Sequence, residues 1–252
     1  MSARPDTRSG RSGWFWAALV VIALLVTLVV RWPLAWATRW LPAATHCEAP
    51  SGSVWHGRCA SLAVGQHALG SVSWQLRPLR LLSGGLAADV DARQLGDVLS
   101  GRIELRAGGR IVARDLDARL TLGGGLLGSN QMGLRGTLHA RLGQLALSGR
   151  VVDDIAGTVT VQDLVQGSGR ATALGNYEIT FTADAPRRGA LRDVGGPLGV
   201  TGTLTLTDEP GYVVEGLVAP RADAPEVLVR QISFLGTPDA HGQRPFSVAG
   251  TY

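Results

Sequence analysis

The stretch LDARLTL, residues 116–122, alternates apolar and polar residues with a period of two. This period places successive side chains on opposite faces of a β-strand, so that one face is apolar and the other polar. The same alternation recurs in residues 72–76, 134–142, 155–161, 177–181 and 200–206. Glycine-rich turn signals separate the runs, as at 84–85, 108–109, 123–125 and 195–197. The sequence therefore predicts an all-β domain with a mostly antiparallel sheet.

Two further features refine this sheet. The sequence DEPG at 208–211 separates the alternating runs Thr203–Thr207 and Tyr212–Val218, which is the clearest hairpin signal in the chain. Glycine accounts for 34 residues, and several lie inside the alternating runs, where glycine marks a bend or a bulge. We therefore expect a strongly curved sheet. These internal glycines are Gly136, Gly157, Gly202, Gly216 and Gly250.

Two segments are candidate helices. Pro225 is suited to the first position of a short helix, where its missing N–H has no cost. Such a helix would place Leu228, Ile232 and Leu235 on one face. Ala92–Leu99 is the second candidate.

Ahead of the strands, residues 14–30 read WFWAALVVIALLVTLVV and contain no charged residue. At about 1.5 Å per helical residue this run covers roughly 25 Å, and Trp32 and Leu34 extend it towards the ~30 Å of a bilayer core. Tryptophans at both ends of the run are typical of the membrane interface. We predict a single transmembrane helix over residues 14–34. Because three arginines precede it, residues 1–13 are expected in the cytoplasm and residues 35–252 form a periplasmic β domain.

A cleaved signal peptide is the competing interpretation, since Ala35-Trp36-Ala37 resembles a small-residue cleavage site. However, the apolar run exceeds the roughly 7–15 residues of a signal-peptide core, and bulky Trp36 is a poor neighbour for cleavage. An uncleaved anchor fits better, and it predicts a single-pass protein of the cell inner membrane.

The formal net charge of +4 does not describe a basic surface. The first thirteen residues contribute +2, because three arginines oppose Asp6, and residues 31–252 contribute only +2, from 21 arginines and 19 acidic residues. The chain has no basic stripe with interleaved aromatic residues, so we expect no nucleic acid partner.

Cys47 and Cys59 are the two cysteines of the chain. In an extracytoplasmic compartment they predict one disulfide, which in a loop of this size stabilises a fold by about 3 kcal/mol. Two unpaired buried thiols are the alternative. His46 and His56 lie nearby and raise the question of a metal site, but the spacing lacks the CxxC pair typical of zinc. We expect no metal.

The sequence shows no catalytic pattern. His67, His139 and His241 occur singly, and no serine stands in a Gly-x-Ser-x-Gly context. A phosphate loop requires a lysine after its glycines, and the chain contains none. Asp115 and Asp117 share one face of a strand, as residues of a solvated face do. We therefore expect neither an enzyme, nor a cofactor, nor a small-molecule substrate.

Six short motifs follow one another along the chain: GSVWHG at 52–57, WQLRPL at 74–79, GGL at 84–86, LGNY at 174–177, VGGPL at 194–198 and LGTPDA at 235–240. In this order, behind an N-terminal anchor and in a chain of this length, they resemble the type II secretion system protein N family, also called general secretion pathway protein N. The resemblance covers residues 14–252.

This resemblance implies a non-enzymatic component of the machinery that exports folded proteins from the periplasm through an outer-membrane secretin. The implied partners are the inner-membrane platform and the secretin. A scaffold of this kind can add one of its edge strands to a partner. Trp55 and Trp74, the two tryptophans beyond the membrane-proximal stretch, are candidate partner-interface residues. Their alternative role is packing in the core.

A periplasmic lipid carrier is the alternative function, because a curved β trough can hold acyl chains along an apolar face. An assembly chaperone for secretion components is a third. Alternation predicts an apolar face in each case. Coverage of that face by the Pro225 helix and the loops favours an interaction module, whereas an open face favours lipid transport.

Overall fold

The computed structural model describes residues 45–65, 67–78, 80, 84–124, 133–167 and 171–251, with single positions at 16, 19–21, 27 and 34. From residue 45 onward, the described residues form fourteen β-strands and one α-helix. The strands are β1 Thr45–Glu48, β2 Ser51–Gly52, β3 His56–Val64, β4 His67–Arg77, β5 Leu86–Gln94, β6 Asp97–Leu105, β7 Arg110–Leu122, β8 Leu134–Ser148, β9 Val151–Gln166, β10 Thr172–Phe181, β11 Arg188–Gly195, β12 Leu198–Leu206, β13 Tyr212–Pro220 and β14 Arg244–Gly250. The helix, α1, is Glu226–Ser233.

All strands belong to one sheet in which each strand from β3 onward pairs with the next in the sequence. Every pairing is antiparallel, β1 and β2 both pair with β3, and β1 and β14 end the strand order. The all-β, antiparallel prediction is thereby confirmed. The predicted hairpin is also confirmed as β12–β13, whose turn is closed by a hydrogen bond from Thr207 N to Gly211 O.

The two helix predictions had different outcomes. The predicted Pro225 helix is α1, which begins at Glu226, with Pro225 as its N-cap and with Leu228 and Ile232 buried. The prediction of a helix over Ala92–Leu99 is wrong, because this segment forms the β5–β6 hairpin. Its short length gave little helical stability, and both halves gain cross-strand partners in a sheet.

Two apolar clusters form the core. The larger lies on β7–β10, where Leu99 of β6 and Leu204 and Leu206 of β12 pack against it. The smaller lies under α1 on β12 and β13. Register shifts interrupt several pairings, one of them between Leu142 and Gln144, as the internal glycines predict. The strong curvature of the whole sheet stays a prediction.

Among the described residues, no helix is long and apolar enough to cross a membrane. The predicted transmembrane segment 14–34 lies outside the described residues apart from the single positions given above. The division into residues 1–13, 14–34 and 35–252 therefore stays a prediction.

Candidate interaction surfaces

One face of the sheet is apolar across twelve neighbouring strands. A row of directly paired residues crosses β3 to β14 and contains only apolar residues and glycine, all of them buried or half-buried. We call this side of the sheet the apolar face. The row is Cys59, Val72, Ala92, Leu99, Ala118, Ala140, Val159, Ile179, Leu191, Gly202, Gly216 and Phe246.

The neighbouring row points to the opposite face and is polar, with Ala190 as its exception. It is Arg58, Ser73, Asp91, Ser100, Asp117, Arg141, Thr158, Thr180, Ala190, Thr203, Glu215 and Ser247. This polar face carries ion pairs between strands, including Arg141 Nε to Asp117 Oδ2 at 3.6 Å. The Asp115/Asp117 pair therefore belongs to an exposed, charged surface, as predicted.

The polar face is densely paired around β4–β7. Asp89 accepts hydrogen bonds from Arg77 Nε at 2.7 Å and Arg102 Nε at 3.1 Å. Burial tends to raise the pKa of Asp89, but the hydrogen bonds and charges of the two arginines hold that pKa below its ordinary value. Buried Glu104 lies 3.5–3.8 Å from three guanidinium groups, those of Arg80, Arg106 and Arg114. These contacts link neighbouring strands by charge.

Aromatic rings cover glycines on the apolar face. In four directly opposed pairs, a Cβ added to the glycine would approach an atom of the partner ring to 3.0 Å or less. The missing side chain thus leaves room for the ring of the residue opposite, as aromatic residues opposite glycine do in other sheets. The pairs are Gly57 with Trp74, Gly189 with Phe181, Gly216 with Phe246 and Gly250 with Tyr212.

Helix α1 covers the apolar face at β12 and β13. Leu228 and Ile232 pack there in the smaller cluster. Tyr177 lies at the edge of this cluster, and its hydroxyl donates to Leu174 O at 2.6 Å. Burial, together with the negative charge of Asp193, raises the pKa of Tyr177 to about 12, so its hydroxyl is neutral at physiological pH. The helix therefore closes one region of the apolar face.

The outer edge of β14 is the candidate partner-binding edge. None of the described residues pairs with it, since β14 bonds to β13 alone. Pro245 has no N–H, so its backbone must face away from the ladder to β13. Because the backbone direction alternates along a strand, Ser247 and Ala249 also present their N–H and C=O groups outward. All three residues are exposed, and such an edge is a template for another strand.

The predicted disulfide is confirmed. Cys47 of β1 is bonded to Cys59 of β3, with the Cα atoms 5.5 Å apart. Cys59 is buried on the apolar face. The bond therefore fastens the first strand of the sheet to its core. His46 and His56 lie on the two linked strands, and the described residues contain no group of three or more His, Cys, Asp or Glu side chains able to hold a metal.

Trp55 and Trp74 come together beside the start of β3. The indole Nε1 of Trp74 donates to Val54 O at 3.0 Å, while its ring lies over Gly57. The carbonyl oxygen of Trp55 accepts from Leu76 N at 2.7 Å. Both tryptophans are half-buried. Their role as partner-interface residues stays a prediction.

Sequence reasoning missed the β14 edge as a specific site. The available signal was Pro245, because proline within a strand is confined to edges, bulges and strand starts. It also missed the apolar turn at Leu95, because that segment was predicted as helix.

A single antiparallel sheet with an apolar face, a charged face and an edge that no described strand covers defines a β domain suited to binding along its surfaces. A family model described as "Type II secretion system (T2SS), protein N" matches residues 44–247, from the start of β1 into β14. The chain belongs to this family, which confirms the resemblance carried by the six motifs. Membership makes the protein a component of the type II secretion system, and hence of protein transport.

A curated relative agrees with this assignment. The chain is similar to "Type II secretion system protein N" of Aeromonas hydrophila, with 27% identity over 250 residues, covering 93% of this chain and 96% of that protein. No solved structure matches the chain.

Proposed function

We propose that the protein is a non-enzymatic scaffold of the type II secretion machinery, anchored in the inner membrane by residues 14–34 with its β domain in the periplasm. The observation that carries this proposal is the open edge of β14 in a domain of the protein N family. A scaffold works by holding partners in place, and an edge strand supplies main-chain hydrogen bonds for this purpose. Its partners are the inner-membrane platform and the secretin.

The composition of the edge supports strand addition. Natural edges that must stay unpaired are often short or carry charged residues. In contrast, β14 has seven residues, and its single charged residue is Arg244 at the start. The Arg244 guanidinium donates to Gly236 O and Ser233 O. It therefore links the beginning of β14 to the end of α1. The outward backbone groups of Pro245, Ser247 and Ala249 have no other charged side chain of β14 beside them that would oppose strand addition.

Cross-linking in intact cells tests the edge. A photoreactive residue at Ser247 or Ala249 should capture a platform or secretin subunit. The matched control is Thr201, which is also exposed on the polar face but lies on β12, two strands from the edge. Equal capture from Thr201, or no secretion subunit captured from either edge position, would contradict the proposal.

A second experiment tests the anchor. Deleting residues 1–31 and exporting the remainder behind another protein's signal peptide should abolish secretion, because a non-enzymatic scaffold acts by holding its partners at the membrane. The deleted form must be present in the periplasm with its disulfide intact, shown by blotting without reductant. Full secretion by this soluble form would show that anchoring is dispensable.

Lipid carriage is the second candidate function, because the apolar row continues across twelve strands while α1 packs on it at β12 and β13. The cluster on β7–β10 is itself buried, with Leu204 and Leu206 of β12 packed against it, so acyl chains would have to enter among these side chains. A photoreactive residue at half-buried Ile179 or Leu191 would distinguish the two functions. Capture of phospholipid at these positions, without a protein adduct from β14, would replace the scaffold by a carrier.

A further inference from the structure

An exposed apolar turn lies at the end of the sheet where the described chain begins. Thr45 pairs with Val64 beside the β3–β4 turn. The β5–β6 hairpin turns back at the same end through Leu95 and Gly96. Leu95 is 89% exposed, more than any other large apolar side chain among the described residues, and Val64 is 43% exposed. This end therefore presents apolar side chains close to the start of β1.

The local structure gives no reason for a leucine at this turn. Leu95 and Gly96 have φ values of 49° and 96°, and two consecutive positive values are the pattern of a type I′ hairpin turn. Asparagine, aspartate and glycine suit the first of these positions, whereas a side chain without a local hydrogen bond is strained there. Leu95 is thus unfavourable both for the backbone and for solvation. A contact with an apolar medium would account for its presence.

Cations flank the apolar turn. Val98, 39% exposed, is paired directly with Arg93 on one side and with Arg119 on the other. Both arginines are exposed, and neither has an ion-pair partner among the described residues. The acidic residue of the turn, Asp97, is buried and accepts hydrogen bonds from Thr121 N and Oγ1. Apolar side chains beside free guanidinium groups suit a phospholipid surface, which offers acyl chains and phosphates together.

The position of the predicted anchor indicates which apolar medium Leu95 contacts. The predicted anchor ends at residue 34, and residues 35–44, even fully extended, reach at most about 36 Å. With this predicted anchor, the end of the sheet that carries Thr45 stays within about 36 Å of the membrane. We propose that the β5–β6 turn inserts Leu95 into the phospholipid surface of the membrane that holds the anchor, with Arg93 and Arg119 on lipid phosphates. This inference rests on the anchor of the proposed function.

Fluorescence quenching in the full chain tests the contact. The chain is reconstituted into vesicles of phosphatidylethanolamine and phosphatidylglycerol that contain lipids with a nitroxide on the headgroup. An environment-sensitive fluorophore is attached to Leu95→Cys or, as the matched control, to Leu105→Cys. Leu105 is 44% exposed at the far end of β6, roughly 30 Å along the sheet from Leu95. The native cysteines are bonded to each other and do not take the label.

Quenching at position 95 is expected to be several-fold stronger than at position 105. Equal quenching at the two positions, in a chain that floats with the vesicles, overturns the lipid contact and leaves the anchor intact. A chain that does not float overturns the anchor, and this inference falls with it. The two failures are therefore distinguishable.

A second variant separates lipid contact from a structural role. Asparagine favours the positive φ at position 95, so Leu95→Asn is expected to raise the thermal midpoint of the β domain. With the fluorophore on Val98→Cys, the same substitution should reduce quenching several-fold, while Leu105→Asn should leave quenching unchanged. Unchanged quenching in Leu95→Asn would overturn the proposal, whatever the thermal midpoint of the variant.

Discussion

The two edges of the sheet are built differently. At one edge, β1 has four residues and is bonded to β3 through Cys47–Cys59. At the other, β14 has seven residues and is held by its ladder to β13 and by Arg244. A short strand with a covalent bond to its neighbour resists exchange for another strand, whereas a longer edge strand with a single charged residue at its start can accept one. We therefore call β1 the fixed edge and β14 the proposed binding edge of the sheet.

The largest effect is expected from opening the fixed edge. The double variant Cys47→Ala/Cys59→Ala should lower the free energy of unfolding by about 3 kcal/mol, because the unfolded chain regains the entropy of the closed loop. Urea unfolding followed by far-ultraviolet circular dichroism measures this loss. Reducing agent added to the unsubstituted chain should reproduce it, and should leave the double variant unaffected. A double variant as stable as the parent would show that the disulfide does not stabilise the β1 edge.

The glycines beneath aromatic rings provide the next test. In Gly57→Ala the new Cβ would meet the Trp74 ring at 2.3 Å, and that ring is held by its hydrogen bond to Val54 O. We expect a loss of about 1–3 kcal/mol, as in overpacked cores. In Gly250→Ala the Cβ meets the Tyr212 hydroxyl at 2.6 Å and the ring at 2.7 Å, but β14 can shift because β13 is its one neighbour among the described strands.

The measurement is the difference between the two variants in urea unfolding. A smaller loss in Gly250→Ala is the expected result. Equal losses would show that β14 is held as rigidly as β3, which contradicts an edge free to admit a partner.

A pair of proline substitutions sharpens the description of the binding edge. Ala249→Pro removes an outward N–H and should change the free energy of unfolding by less than about 1 kcal/mol, while Val248→Pro removes an N–H of the ladder and should cost about 1–3 kcal/mol. Ala249→Pro should nevertheless weaken cross-linking from Ser247. If Ala249→Pro is the more destabilising of the two, the outward assignment of Pro245, Ser247 and Ala249 is wrong.

Particular residues show how far the sequence predicts this molecule. The alternation around Leu116–Leu122 gave the correct strands, because half-burial of a sheet imposes a period of two. The disulfide was predicted from two cysteines in a domain that the predicted anchor places outside the cytoplasm. The Ala92–Leu99 hairpin was missed, because its turn uses Leu95 where asparagine or aspartate would have been the signal. The β14 edge depends on which strands lie beside one another, and that order is a property of the whole chain.

The smallest effect is expected at Tyr177, under α1 near the binding edge. Its pKa is raised to about 12 by burial and by the charge of Asp193, against an ordinary value of 10.0. The folded protein therefore favours the neutral hydroxyl. The stabilisation that results is complete below pH 10.0 and is lost as the pH rises towards about 12.

Tyr177→Phe has no group to ionise, so its free energy of unfolding should fall less than that of the parent over this pH range. Urea unfolding at several alkaline pH values compares the two. The parallel variant Tyr212→Phe, on β13, controls for general alkaline unfolding. Identical pH profiles for Tyr177→Phe and the parent would show that α1 does not shield the Tyr177 hydroxyl from solvent.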